Sequence, residues 1–272
     1  MHAAPIGIFD SGLGGLSVWR EAVKLLPNHS IEYVSDNAWC PYGPRPAEEV
    51  IVRTKAISRF LLQQGCGIIV VACNTATAAA IDALRQTFSI PFVGMEPAVK
   101  PAVLHSKSGV VGVLATRGTF QGRLYQETSQ RFAADVRVME QVGDGLVELI
   151  EQGLIDSPQM QKLLRTYIEP MMEANADHLV LGCTHYPFLI PAIRQIVGDR
   201  MAIVDPAPAV ARQLCAVLEQ TQGRDVLLDP PSGGSPHYRF YATGSATNLQ
   251  ACYCAINHHL DNSEFFSCFQ IQ

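Results

Sequence analysis

Along this chain, short runs of β-branched and aliphatic residues alternate with longer stretches whose apolar positions recur every three or four residues. The runs Ile6–Phe9, Ile31–Val34, Ile68–Ala72, Phe92–Gly94, Val110–Leu114, Val136–Met139, Leu179–Leu181 and Ile203–Val204 read as strands. Strands of this kind, separated by amphipathic segments, predict an α/β protein with mainly parallel sheets. The stretch 47–64 places Val50, Ile51, Thr54, Ile57, Leu61 and Leu62 on one helical face and is followed by Gly65, suited to the left-handed turn that closes a helix. Further on, 229–236 carries prolines and glycines that forbid regular structure, Tyr238–Ala242 reads as a strand, Asn248–Leu260 as a closing helix and 261–272 as a tail.

The pattern occurs twice. Gly67 to Thr75, containing Cys73-Asn74-Thr75, leads through a helical segment to Ile90–Gly94 and Glu96-Pro97-Ala98. His178 to His185, containing Cys183-Thr184-His185, leads in the same way to Ala202–Val204 and Asp205-Pro206-Ala207. Upstream, Gly7–Gly12 with Asp10-Ser11 has a counterpart in Gly112–Arg117 with Ala115-Thr116. Two similar α/β lobes related by internal pseudo-symmetry, with an active site between them, follow from this. The proline-rich junctions are the expected crossings, making residues 1–97 plus 207–272 a discontinuous first lobe and 98–206 the second.

Composition narrows the function. In 272 residues the net charge is only −5 and the cationic side chains are scattered, which argues against a nucleic-acid partner. The first residues lack the pattern of an export signal, and no apolar run approaches the roughly 20 residues of a membrane span, so a cytoplasmic protein acting on a small molecule, away from membranes, is expected. The eight cysteines are then expected as free thiols.

In open α/β sheets ligands bind beyond the carboxyl ends of the strands, where Asp10, Cys73 and Cys183 all fall. Helix N-termini there favour an anion, so both thiols are expected to have a lowered pKa. Cys66 and Cys215 read as small packing residues, whereas Cys40, beside Pro41-Tyr42-Gly43, is undecided. Cys252 and Cys254 with His258-His259 have the look of a metal cluster, but a helix face accounts for them equally well, and no metal is assigned. Asp10-Ser11-Gly12-Leu13-Gly14-Gly15 lacks the full spacing of a phosphate loop; its acid suits a thiol or an ammonium, and its glycines suit close approach to a small ligand.

Asp10–Gly15, Pro41-Tyr42-Gly43, Cys73-Asn74-Thr75-Ala76 and Gly182-Cys183-Thr184-His185, in this order, resemble the glutamate racemases of the aspartate/glutamate racemase superfamily. The likeness runs from about Ile6 to about Leu218 and resumes at Tyr241-Ala-Thr243-Gly244. It implies a cofactor-independent racemase of L- and D-glutamate that supplies D-glutamate for peptidoglycan. One cysteine removes the α-proton and the other returns a proton to the opposite face. By the same resemblance Cys183 acts on L-glutamate and Cys73 on D-glutamate, assisted by His185 and Asp10 respectively. Glu151 matches a further acid of the family, with Glu148 as its competitor. Asp10, Ser11, Tyr42, Gly43, Asn74, Thr75, Thr184 and His185 are implied to line the substrate pocket. A homodimer is among the assemblies the resemblance leaves open.

Aspartate racemases and arylmalonate decarboxylases share the lobes, and the presence of two cysteines favours racemisation over one-thiol decarboxylation. An amino-acid-binding protein without chemistry would ordinarily be exported, and a cysteine hydrolase needs one nucleophile rather than two equivalent thiols.

Overall fold

The structure, a computed structural model, describes residues 4–132, 136–223, 236–256 and 265–266. The expected loop at 229–235, most of the tail, and the residues His258, His259 and Cys268 lie outside the described residues.

The described strands are β1 (Ile6–Asp10), β2 (Ile31–Ser35), β3 (Ile68–Val71), β4 (Phe92–Val93), β5 (Val110–Ala115), β6 (Arg137–Val142), β7 (His178–Gly182), β8 (Ala202–Val204), β9 (Tyr238–Ala242) and β10 (Phe265–Phe266). They form two sheets, one in the order β10-β9-β2-β1-β3-β4 and the other β6-β5-β7-β8. Every pairing between neighbours is parallel. The first four strands of the chain are thus ordered 2-1-3-4, and the next four repeat that order. The order reverses between β1 and β3 in one sheet and between β5 and β7 in the other, and such a reversal opens a crevice at the carboxyl ends of the strands. Asp10 ends β1 and Cys73 follows β3; Thr116 and Cys183 follow β5 and β7.

Period-2 alternation sorts the side chains of each strand into different cores. Ile6, Ile8, Tyr33, Ile68 and Val70 join Leu114, Leu179 and Leu181 of the other sheet in one continuous core. Phe9, Val34, Ile69 and Val71 face a second core, together with Val50, Ile57 and Leu61 of helix Ala47–Gln63. Val111, Val113, Ala115 and Val180 face a third. Gly65 adopts φ +87° just past the helix end, as its position predicts. β6 runs three residues beyond the expected Met139 because Glu140 and Gln141 are tolerated on a sheet edge, where the side chains are only partly covered.

After the second sheet the chain returns to the first through helix Ala207–Gln222 and adds β9 beside β2. Trp19 anchors this return, meeting Tyr238, Phe240 and Tyr253 edge-on at 5.3–5.4 Å between ring centres. Cys252 and Cys254 sit on helix Thr247–Ile256, the first packed against the core and the second exposed. Cys66 packs in the second core and Cys215 at the margin of the first. Among the described residues no helix is long and apolar enough to cross a membrane.

Candidate active site

Each thiol is placed by a strand that ends beneath it. Cys73 follows β3 and is the N-cap of helix Asn74–Thr87, its sulfur accepting the Ala76 N–H at 3.4 Å. Its thiol also lies 3.8 Å from the Ser11 hydroxyl. Cys183 follows β7, with its sulfur 3.8 Å from Nδ1 of His185. Both are nearly inaccessible, at 5% and 6% exposed.

A cavity of only about 10 Å³ separates the lobes here, walled by both cysteines, Ser11, Pro41, Tyr42, Gly43, Asn74, Thr75, Thr116, Val147, Thr184 and His185. The expected pocket residues are therefore brought together, except that Asp10 stands behind the wall. Its carboxylate is fully buried and accepts the backbone N–H of Ser11 at 2.7 Å and of Gly15 at 2.6 Å, and the Thr184 hydroxyl at 3.1 Å. With those donors in place Asp10 is a neighbour of Cys73 rather than a contact for a substrate ammonium. Tyr42 likewise turns its hydroxyl away, donating to Asp36, which is also held by Arg53 through two nitrogens at 2.6 and 3.0 Å. Asn74 differs from all of these. Both polar atoms of its buried side-chain amide lack a hydrogen-bond partner, although it lines the cavity. A native interior seldom leaves such a group unpaired, so it points to a ligand.

The lobes are clasped around this cavity. Besides the Thr184–Asp10 bond, the Ser17 hydroxyl lies 3.0 Å from the Thr184 carbonyl, and the Thr75 and Thr116 hydroxyls are 2.7 Å apart. Glu151 bridges as well. One of its oxygens accepts the Leu13 N–H at 2.7 Å and stands 2.6 Å from His185 Nε2, contacts that set it apart from Glu148, although both acids line an outer cleft. The glycines of the 10–15 loop make room for these side chains. A Cβ on Gly12 would collide with the Glu151 carboxylate, and one on Gly14 with the His185 imidazole. Their close approach is thus to the Glu151 and His185 side chains of the opposite lobe.

Electrostatics distinguish the two thiols. Burial, reinforced by the Asp10 charge, pushes the Cys73 thiol well above its ordinary value, overriding the Ala76 and Ser11 hydrogen bonds. The expected lowering at a helix N-terminus is therefore corrected for Cys73: removing a thiolate from water outweighs one amide. Burial also raises Asp10. Burial would lower His185, but hydrogen bonds with Cys183, Cys40 and Glu151 and the charge of Cys183 raise it well above its usual range. Burial opposes ionisation of Glu151, yet His185, the Leu13 amide and Cys40 hold it below the usual carboxylate range. A cationic imidazole between a carboxylate and a sulfur is the result.

A family model for Asp/Glu/hydantoin racemases matches residues 14–214. The chain belongs to this racemase family. Among its relatives is a glutamate racemase of Roseiflexus sp. (strain RS-1), 50% identical over 219 residues, 80% of each chain. The fold superposes on a glutamate racemase isoform of Bacillus anthracis with TM-score 0.85 and 31% identity, covering 99% of this chain and 98% of that one. It also superposes on a glutamate racemase of Francisella tularensis in complex with D-glutamate, with TM-score 0.82 and 26% identity over the same shares. In this racemase, Thr116 and Val147 are cavity residues that sequence reasoning did not select. Thr116 carried a usable signal as the counterpart of Ser11 in the repeat; Val147 carried none.

Proposed function

We propose that the protein is a glutamate racemase that interconverts L- and D-glutamate by two-thiol proton transfer, without a cofactor, and supplies D-glutamate for peptidoglycan from the cytoplasm. The observation that carries the mechanism is the enclosure of one cavity by Cys73 and Cys183, one from each lobe, beside the unpaired Asn74 amide. Glutamate, rather than aspartate, is favoured by the relatives just described. The lobe limits, 1–97 with 207–272 and 98–206, are supported by the division of strands, since β5–β8 alone fall between the cuts.

With L-glutamate bound, the Cys183 thiolate takes the α-proton. The C–H electron pair moves into the carboxylate, the Cys73 S–H bond breaks, and its proton forms the new C–H bond on the opposite face. The reverse reaction exchanges these roles, with Asp10 receiving or returning the Cys73 proton. His185, charged and held by Glu151, stabilises negative charge at Cys183. Asn74, the Thr75 hydroxyl and the first amides of helix Asn74–Thr87, which have no intrahelical acceptor, hold the substrate carboxylates, while the Thr184 hydroxyl, whose proton goes to Asp10, can only accept from the ammonium. Enclosure keeps bulk water from competing for the carbanion and strengthens each dipole.

Incubation of either enantiomer in D₂O without pyridoxal phosphate tests this. The opposite enantiomer should form carrying deuterium at the α-carbon; no incorporation from either enantiomer overturns the reading.

A further inference from the structure

Cys40 is a thiol near the reaction centre to which this mechanism gives no proton to carry. Its sulfur, a Glu151 carboxylate oxygen and a ring nitrogen of His185 all lie within 4.8 Å of one another. They converge beside Gly12, where a Cβ would stand 3.0 Å from the Cys40 sulfur and collide with Glu151. Cys40 and Glu151 also wall an outer cleft of about 330 Å³, which adds the Glu148 carboxylate and lies apart from both catalytic cysteines. The Cys40 and Glu151 ligands can therefore be approached from solvent without passing through the substrate cavity, with His185 buried next to them.

We propose that Cys40, Glu151 and His185 form a binding site for a borderline-soft divalent cation of the zinc class, and that its occupancy inhibits racemisation. Thiolate, imidazole and carboxylate form a zinc donor set, whereas Mg²⁺ and Ca²⁺ require oxygen ligands. Bond lengths of about 2.0–2.3 Å put ligand atoms of a tetrahedral ion about 3.3–3.8 Å apart. Closing the site takes roughly 1 Å of inward movement and an equal opening of the 2.6 Å His185–Glu151 contact. Binding displaces to solvent the Cys40 thiol proton and the proton shared by His185 and Glu151, and water completes the coordination. The ion takes the imidazole away from its role beside Cys183, so the inhibition, though not the binding, rests on the racemase reading.

The test uses metal-free enzyme in a non-chelating reductant. Zinc stoichiometry is measured by equilibrium dialysis, thiolate-to-metal absorption by titration with Co²⁺, and racemisation under Zn²⁺ or Mg²⁺. One zinc per chain, thiolate-to-cobalt absorption, and inhibition by Zn²⁺ that chelation reverses and Mg²⁺ does not reproduce are expected. Cys40→Ala should lose the absorption and need about tenfold more zinc for the same fractional inhibition of its own metal-free activity. Should that variant not fold, Cys40→Ser is read the same way. Zinc binding and absorption unchanged without the Cys40 thiol would place the ion on the catalytic cysteines and overturn the proposal, as would wild-type enzyme that binds no zinc. Zinc bound through Cys40 but without effect on turnover would overturn the inhibitory role alone.

Discussion

Cys73 and Cys183 end equivalent strands in sheets of the same order, yet one faces a carboxyl group and the other an imidazole. The repeat shows where they diverge. Asp10 corresponds to Ala115, and His185 corresponds to Thr75, so each lobe places one ionisable side chain near its thiol from a different position of the shared motif. Backbone duplication thus provides two facing thiols, and two substitutions within it give them different surroundings. Burial and the Asp10 charge favour the neutral thiol at Cys73, while beside Cys183 the His185 imidazole is raised toward its cationic form.

The comparison breaks most severely if either sulfur is removed. Cys73→Ala and Cys183→Ala should each lower racemisation by about 10⁴-fold, the upper range for a general acid or base; turnover within tenfold of wild type in either variant would refute two-thiol transfer. The helpers should cost less and act by direction. Asp10→Asn should lower kcat from D-glutamate about 10²-fold, and His185→Asn should do so from L-glutamate. The enantiomers have equal free energy, so kcat/KM must fall equally in both directions for any variant. Only the separate kcat and KM values report which helper serves which thiol. Equal kcat losses in both directions would erase the proposed division.

Glu151→Gln sharpens the imidazole half. Activity that needs charged His185 is present below its folded pKa and lost as pH rises through it. Without the carboxylate that pKa falls, so the alkaline limb of kcat from L-glutamate should move about one unit or more to lower pH. An unmoved limb would detach Glu151 from His185. Smallest is Thr116→Val, which removes the bond to Thr75 across the lobes: about 1 kcal/mol, or roughly fivefold in KM, is expected from initial rates. No change in KM would show that this hydroxyl pair does not support the bound state.

The sheet strands were legible because their apolar runs are short and flanked by amphipathic stretches, and the repeat was legible because both halves keep the same cysteine position. What escaped the sequence depends on partners far along the chain. Glu148 and Glu151, three residues apart, share a helical side, and only contacts with Leu13 and His185 distinguish them. Gly12 and Gly14 signal close approach without saying to what. The thiol shift was misjudged for Cys73 because a helix N-terminus is visible in sequence, whereas the depth of burial that overrides it is not.

The smallness of the inner cavity bears on timing. Glutamate has ten heavy atoms and cannot pass into about 10 Å³. Admission of substrate therefore requires this cavity to widen, and the Thr184–Asp10, Glu151–Leu13 and Thr75–Thr116 bonds span the faces that would part. The same bonds that hold the two cysteines in line thus also resist that opening, a motion of the microsecond-to-millisecond class.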